Sequence, residues 1–229
     1  MTGLLVVTAV PAEAEAVRQG LADPTTVTVV PVGVGPAVAG AATARLLALA
    51  EAAGRPYQGV VSAGVAGGFP GRVPVGGTVL GDHSVAADLG AESPEGFLPV
   101  EELGMPAELL GAPSVLAADP TLLTRLRQRL PGATVGPVLT VSTVTGTVTS
   151  TAALVARHPT AVAEAMEGYA VAVAADQARL PFVELRTISN PIGPRDRAAW
   201  QLGTALTALT AAAAALGPTG DQAATPPGC

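Results

Sequence analysis

Short apolar runs alternate along this chain with stretches that carry helix-forming residues. Residues 4–9 (LLVVTA) form a brief, continuous apolar run, the pattern of a strand buried on both faces. Pro11 is suited to a first helical turn, and residues 12–21 continue it as a helix. Residues 25–32 are β-branched apart from Pro31 and end at Gly33-Val34-Gly35. Residues 36–53 read as a helix closed by Gly54. Residues 58–63 read as a strand running into a glycine-rich turn over 63–68, and 78–87 is β-rich again. The pattern breaks up over 90–113 into Pro, Gly and acidic residues, which predicts a surface insertion or lid. Strands are expected at 114–117 and 133–144, with a helix between them over 119–130, capped by Asp119 and opened by Pro120. Helices follow at 149–157, 167–178 and 196–216, and a strand at 182–189. No internal repeat is visible.

Alternating strands and helices predict an α/β fold with a central mixed and largely parallel twisted sheet flanked by helices. One domain is expected over residues 1–216, with 217–229 a disordered tail. Composition narrows the function. The chain has 229 residues, 49% of them hydrophobic but only 3% aromatic, so the core is built from Ala, Val and Leu. A net charge of -6 without any basic block argues against nucleic acid, whose phosphates need cationic partners. The lone Cys229 cannot form an intrachain disulfide. The opening residues lack a basic segment before their apolar run, as a signal peptide would have. Charge-free stretches at 132–156 and 198–220 are too rich in Thr, Gly and Pro for membrane spans. A soluble, cytoplasmic protein is expected.

The candidate chemistry sits at predicted strand ends and helix starts, where open α/β sheets bind ligands. Glu167 opens an Ala/Val helix, and a carboxylate there can accept from both hydroxyls of a sugar diol. Met166 beside it packs against a sugar face or fills core. Asn190 ends the strand FVELRTIS; its amide can donate to N7 and meet O6 of a 6-oxopurine, although Asn-Pro is also an ordinary turn. Glu13 follows the first strand closely and could hold a water as general base, with Glu15 as its solvated competitor. Ala66 and Gly67, in the second glycine cluster, are expected to bring backbone close to a substrate. Val38 replaces the third glycine of a dinucleotide fingerprint that would begin at Gly33, so an NAD site is not expected. His83 and His158 stand alone and predict no metal site. Arg195, Asp196 and Arg197 form a helix-start charge cluster or supply an arginine for a carboxylate.

TAVPAEAEAV, VGVGPAVAG, SAGVAGGF, AMEG and RTISN occur in the order seen in the purine nucleoside phosphorylase/nucleosidase superfamily, which the chain resembles over roughly residues 3–210. Through RTISNPIGPRDRAAW it is most similar to the futalosine hydrolase branch, which serves menaquinone biosynthesis. The resemblance implies that Glu167 binds the ribose 2′- and 3′-hydroxyls above Met166, and that Glu13, helped by Arg186, activates water. Asn190 stands where the methylthioadenosine nucleosidase branch has an Asp that protonates adenine N7. Thr145, Gly146 and Thr147 stand where relatives set backbone against the base, without the aromatic common there. The implied reaction is hydrolysis of futalosine to hypoxanthine and dehypoxanthinyl futalosine, without cofactor or metal, by a homo-oligomer. The rivals are a phosphorylase of inosine-like nucleosides, a methylthioadenosine/S-adenosylhomocysteine nucleosidase and a non-catalytic nucleoside-binding module.

Overall fold

In the computed structural model, which describes residues 3–217, chain order runs β1 (Leu4–Thr8), α1 (Pro11–Gly20), β2 (Val27–Pro31), α2 (Pro36–Ala52), β3 (Gly59–Gly68) and β4 (Thr78–Ala86). It continues through β5 (Gly90–Ser93), β6 (Gly96–Pro99), β7 (Val115–Ala117), α3 (Pro120–Arg129) and β8 (Thr134–Thr140). The last elements are α4 (Val148–Arg157), β9 (Ala163–Ala165), α5 (Gly168–Gln177), β10 (Phe182–Pro191) and α6 (Leu202–Ala213). Local chemistry sets several of these boundaries. Pro11, Pro36 and Pro120 open their helices, where the missing N–H costs nothing. Asp119 accepts from the Leu122 N–H at 2.7 Å as the cap of α3. Gly54 takes φ +68° just beyond α2, a backbone geometry that favours glycine.

Eight strands form one mixed sheet in the order β10-β4-β8-β9-β3-β1-β2, with β7 on the outer side of β4. Because β10 also pairs with β3, five strands close on themselves and β1 and β2 extend the rim. The β1–β2, β1–β3, β3–β10, β4–β8 and β8–β9 pairs are parallel. The β4–β10, β3–β9 and β4–β7 pairs are antiparallel. Successive side chains on a strand face opposite ways, and the two faces bury different partners. Val6, Val61, Val183 and Leu185 pack with Val17 of α1, Leu126 of α3 and Leu209 of α6. Leu5, Val7, Val60 and Phe182 pack with Ala39 and Leu47 of α2 and Val171 of α5. Each fully buried Val, Leu or Phe contributes about 1.5–3 kcal/mol relative to exposure. The expected α/β class, with its mixed and largely parallel sheet, is what the chain forms.

Several boundaries differ from the pattern-based expectation. The glycines at 64–68 are not a turn: they continue β3, where paired neighbours supply the hydrogen bonds that a turn would. The strand expected over 133–144 stops at Thr140. The helix expected over 196–216 is broken into a 3₁₀ turn at Arg197–Ala199, α6, and a final 3₁₀ turn at Ala214–Leu216. The insertion over 90–113 carries a β5–β6 hairpin of its own. The three-residue β9 was too short to show a period. Residues 218–229, which include most of the expected tail and Cys229, lie outside the described residues. Among the described residues no helix is long and apolar enough to cross a membrane.

Candidate active site

Strand β10 runs through the centre of the closed part of the sheet, and its residues two apart share a face. Glu184 and Arg186 are such a pair, 0% and 1% exposed. Arg186 donates from Nε to Glu184 Oε1 at 2.8 Å and from a terminal nitrogen to Ser62 Oγ at 3.1 Å. Its Nη1 lies 3.7 Å from Glu167 Oε2. A β-carbon on Gly64 would stand 2.7 Å from Glu13 Oε1 and 2.9 Å from Arg186 Nη1, so glycine is what lets those two groups share one gap. Burial works against the guanidinium's charge, but the carboxyl groups clustered around it outweigh this and raise its pKa.

Glu13 and Glu167 reach this cluster from opposite sides of the β1–β3 edge. Glu13 lies in the first turn of α1 and turns back: its Oε2 accepts from the Ala9 and Val10 N–H groups at 2.9 and 3.1 Å. Its Oε1 accepts from the Val65 N–H on β3 at 2.9 Å. An ionised carboxyl has about four lone-pair sites, and three backbone N–H groups donate to Glu13. Glu15 instead faces solvent, bonded to Gln19. Of the two acids, Glu13 is the buried one. Glu167 is the residue before α5, not its first helical residue, and its carboxylate does not cap that helix. It accepts from the Gly35 N–H at 3.1 Å. Gly35 holds φ +92°, which side chains strongly disfavour, so the turn before α2 depends on glycine to aim that N–H. Glu167 keeps most of its acceptor capacity for a ligand.

Asn190 is placed by an irregularity. The register against β3 slips between Ile188 and Asn190, leaving Ser189 as an extra residue, and Asn190 comes opposite Gly67. Bulges re-aim side chains in this way. Ser189 donates to Asn190 Oδ1 at 2.8 Å, and Asn190 Nδ2 donates to the Pro191 carbonyl at 2.9 Å. One amide hydrogen therefore remains for a ligand. A hollow of about 60 Å³ opens here, lined by Thr145, Asn190, Arg195, Asp196 and Trp200 among others. Gly64, which lies against Glu13 and Arg186, and Gly67, which pairs with Asn190, are three residues apart on β3, about 10 Å. A larger hollow of about 310 Å³ lies at the other end of β10, beside Asp119, Arg179 and Phe182. It faces the amino end of that strand, away from these groups, and ligands of such sheets bind at carboxyl ends.

The remaining expected residues are placed unevenly. Met166 is half-buried beside Glu167, and Ala66 is buried with its carbonyl accepting from Ser189 Oγ. Thr145 donates both its N–H and its hydroxyl to Glu164, at 2.9 and 2.7 Å. Thr147 is the exposed cap of α4, and Gly146 accepts from the Arg195 N–H. These three are held by the protein itself, and only Thr145 lines the hollow beside Asn190. Arg72 donates to the Ala161 carbonyl and lies over the Phe69 ring. Among the described residues no three His, Cys, Asp or Glu side chains are grouped to hold a metal. Two buried acids escaped the sequence reading. Glu164 anchors the segment after β8, and burial pushes its carboxyl above the usual range against the pull of Thr145. Glu184 stood in plain sight as an acid inside an apolar strand, a position that acids rarely take unless paired.

The family model described as the phosphorylase superfamily matches residues 6–217. A futalosine hydrolase of Streptomyces coelicolor is 48% identical, over 94% of this chain and 95% of that protein. One from Acidothermus cellulolyticus is 45% identical, over 93% of this chain and 89% of the relative. A 5′-methylthioadenosine/S-adenosylhomocysteine nucleosidase from Colwellia psychrerythraea, solved with adenine, superposes with a TM-score of 0.75 at 22% identity, over 94% of this chain and 96% of that one. At that identity it speaks for the fold alone. Two relatives that are nearly half identical over almost the full length, with a family model spanning residues 6–217, settle the lineage: the chain belongs to the phosphorylase superfamily and, within it, to the futalosine hydrolase family.

Proposed function

We propose that the protein hydrolyses the N-glycosidic bond of futalosine to hypoxanthine and dehypoxanthinyl futalosine, in menaquinone biosynthesis. The observation that carries this is the approach of Glu13 and Glu167 to one buried arginine, with Asn190 opposite Gly67 on the same strand that sets Gly64 against Glu13. In that chemistry the C1′–N9 bond breaks and its electron pair leaves with the base, so the ribose gains oxocarbenium character. Water bonds to C1′ and passes a proton to Glu13. Glu167 holds the two ribose hydroxyls and, with Glu13, sets negative charge beside the developing cation. Asn190 Nδ2 donates to N7, and the departing hypoxanthine spreads its charge over N7 and O6 before taking up a proton. An anionic pocket also disfavours phosphate as nucleophile, since the glutamates would repel it. Chromatography of futalosine incubations with and without phosphate tests the proposal. Equal release of hypoxanthine in both supports hydrolysis. A requirement for phosphate, with ribose-1-phosphate-type product, refutes it.

Asn190→Asp is expected to lower kcat/KM on futalosine by ~10²-fold or more at neutral pH, the usual effect of removing one donor from developing charge. An ionised aspartate there offers no donor and repels the departing purine. Unchanged turnover of Asn190→Asp would remove the amide from the mechanism.

We further infer that the protein works in the cytoplasm as a homo-oligomer, with the insertion over residues 90–113 against a neighbour. Leu103, Met105 and Leu109 of that insertion expose apolar side chains, a feature of interaction surfaces. Light scattering is expected to give a multiple of the 22.4 kDa chain mass. A mass of one chain at micromolar concentration contradicts it.

A further inference from the structure

Glu184 has no place in the chemistry just described, because it is fully buried. Its surroundings are nevertheless built for a carboxyl. A β-carbon on Gly168, at the start of α5, would fall 2.1 Å from Glu184 Oε1, and one on Gly81 of β4 would fall 3.0 Å from its Cβ. Only glycine at both positions leaves the slot. Ser84 of β4 lies 2.6 Å from Oε2, and Arg186 Nε donates to Oε1. The groups that face Glu184 are Arg186 on its own strand, Ser84 on β4 and Glu167 at the head of α5; Glu13 lies beyond the guanidinium.

The charges around Arg186 do not balance. Three glutamates, all nearly or wholly buried, surround one cation. With all three ionised the cluster would hold a net charge of -2 in a dry interior, where an uncompensated charge is strongly destabilising. Three backbone N–H groups donate to Glu13, and the Gly35 N–H donates to Glu167 at the head of α5. Glu184 has no backbone donor among its bonds, and the Ser84 hydroxyl can accept as readily as donate. We propose that Glu184 is a positioning residue for the hydrolysis: it holds the Nε edge of Arg186 so that Nη1 faces Glu13 and Glu167, and it carries the proton that leaves the cluster with one net negative charge. The electrostatics agree. Burial pushes the Glu184 carboxyl above 4.5, Arg186 and Ser84 pull against this, and Glu167 adds to the rise.

The inference rests on the hydrolase reading, and wild-type release of hypoxanthine tests that reading by itself. Given an active wild type, Glu184→Gln mimics the protonated acid. It is expected to keep kcat within ~3-fold of wild type at neutral pH, whereas Glu184→Ala leaves Arg186 Nε unpaired and lowers kcat by ~10²-fold with little change in KM. The second readout is thermal unfolding against pH. A carboxyl that keeps its proton in the native state but loses it on unfolding makes stability fall as pH rises. As pH rises above the range where the unfolded carboxyl ionises, the wild type should therefore lose Tm relative to Glu184→Gln. The proposal is overturned if Glu184→Gln is as impaired as Glu184→Ala, if Glu184→Ala retains wild-type kcat, or if wild type and Glu184→Gln have parallel Tm profiles. Should Glu184→Ala not fold, the Glu184→Gln kinetics and Tm profile decide alone.

Discussion

Glu167→Ala is expected to lower kcat/KM on futalosine by ~10³-fold, as befits a loss of sugar contacts and of charge beside an oxocarbenium ion in a water-poor site. Glu167 makes one hydrogen bond inside the protein, to the Gly35 N–H, and a looser 3.7 Å approach to Arg186. Its removal therefore takes more from the ligand than from the fold. Glu167→Gln separates the two contributions. The amide can still accept from one ribose hydroxyl but brings no negative charge, so a loss of ~10²-fold is expected for it. A substrate analogue without the 2′-hydroxyl closes a double-mutant cycle. It should be a poor substrate for wild type yet cost Glu167→Ala little more, because the contact it lacks is already gone. If Glu167→Ala turns over futalosine within ~3-fold of wild type, or if analogue and mutation add in full, Glu167 does not hold the diol.

The groups that were legible in the sequence are those whose local surroundings announce them. Glu13 and Glu167 each sit where an apolar run meets a helix start, and Asn190 ends a β-branched strand; the fold brings both acids to Arg186. Hydrophobic period and helix punctuation carry that information because they depend on near neighbours. Arg186 came only from resemblance to a family, since nothing in a strand's alternation says that an arginine will be fully buried. Its partners arrive from β3, α1 and α5, distances of tens to more than a hundred residues along the chain. Glu184 was passed over for the same reason. The glycines of β3 misled in a different way. Glycine favours turns in isolation, yet Gly64 and Gly67 lie in a strand because side chains from Glu13, Arg186 and Ile192 fill the space that a β-carbon would take. The bulge at Ser189 was equally hidden, being set by pairing to β3 rather than by the run RTISN itself.

That non-local construction makes Glu13 the sharper test of mechanism, since its three backbone donors come from two separate segments. Glu13→Gln is expected to reduce kcat by ~10²–10⁴-fold with KM changed by only a few-fold, the mark of a proton acceptor lost from the transition state. The same substitution has a structural cost. An amide has one acceptor oxygen, so its NH₂ must face either the Val65 N–H or the Ala9 and Val10 pair, leaving at least one donor unpaired at about 1–3 kcal/mol. Glu13→Gln should accordingly unfold at lower temperature, and its kinetics belong well below that Tm. Two controls isolate the chemistry. Glu15→Gln alters the exposed neighbour and should behave as wild type, while hypoxanthine inhibition of Glu13→Gln should persist, because the base is proposed to lie against Asn190. The kinetic pattern contrasts with that of Glu167, whose loss falls on sugar binding as well as on the barrier. A Glu13→Gln protein that is folded, binds hypoxanthine and keeps wild-type kcat would leave the attacking water without the base assigned to it, and the proton would have to leave by another group.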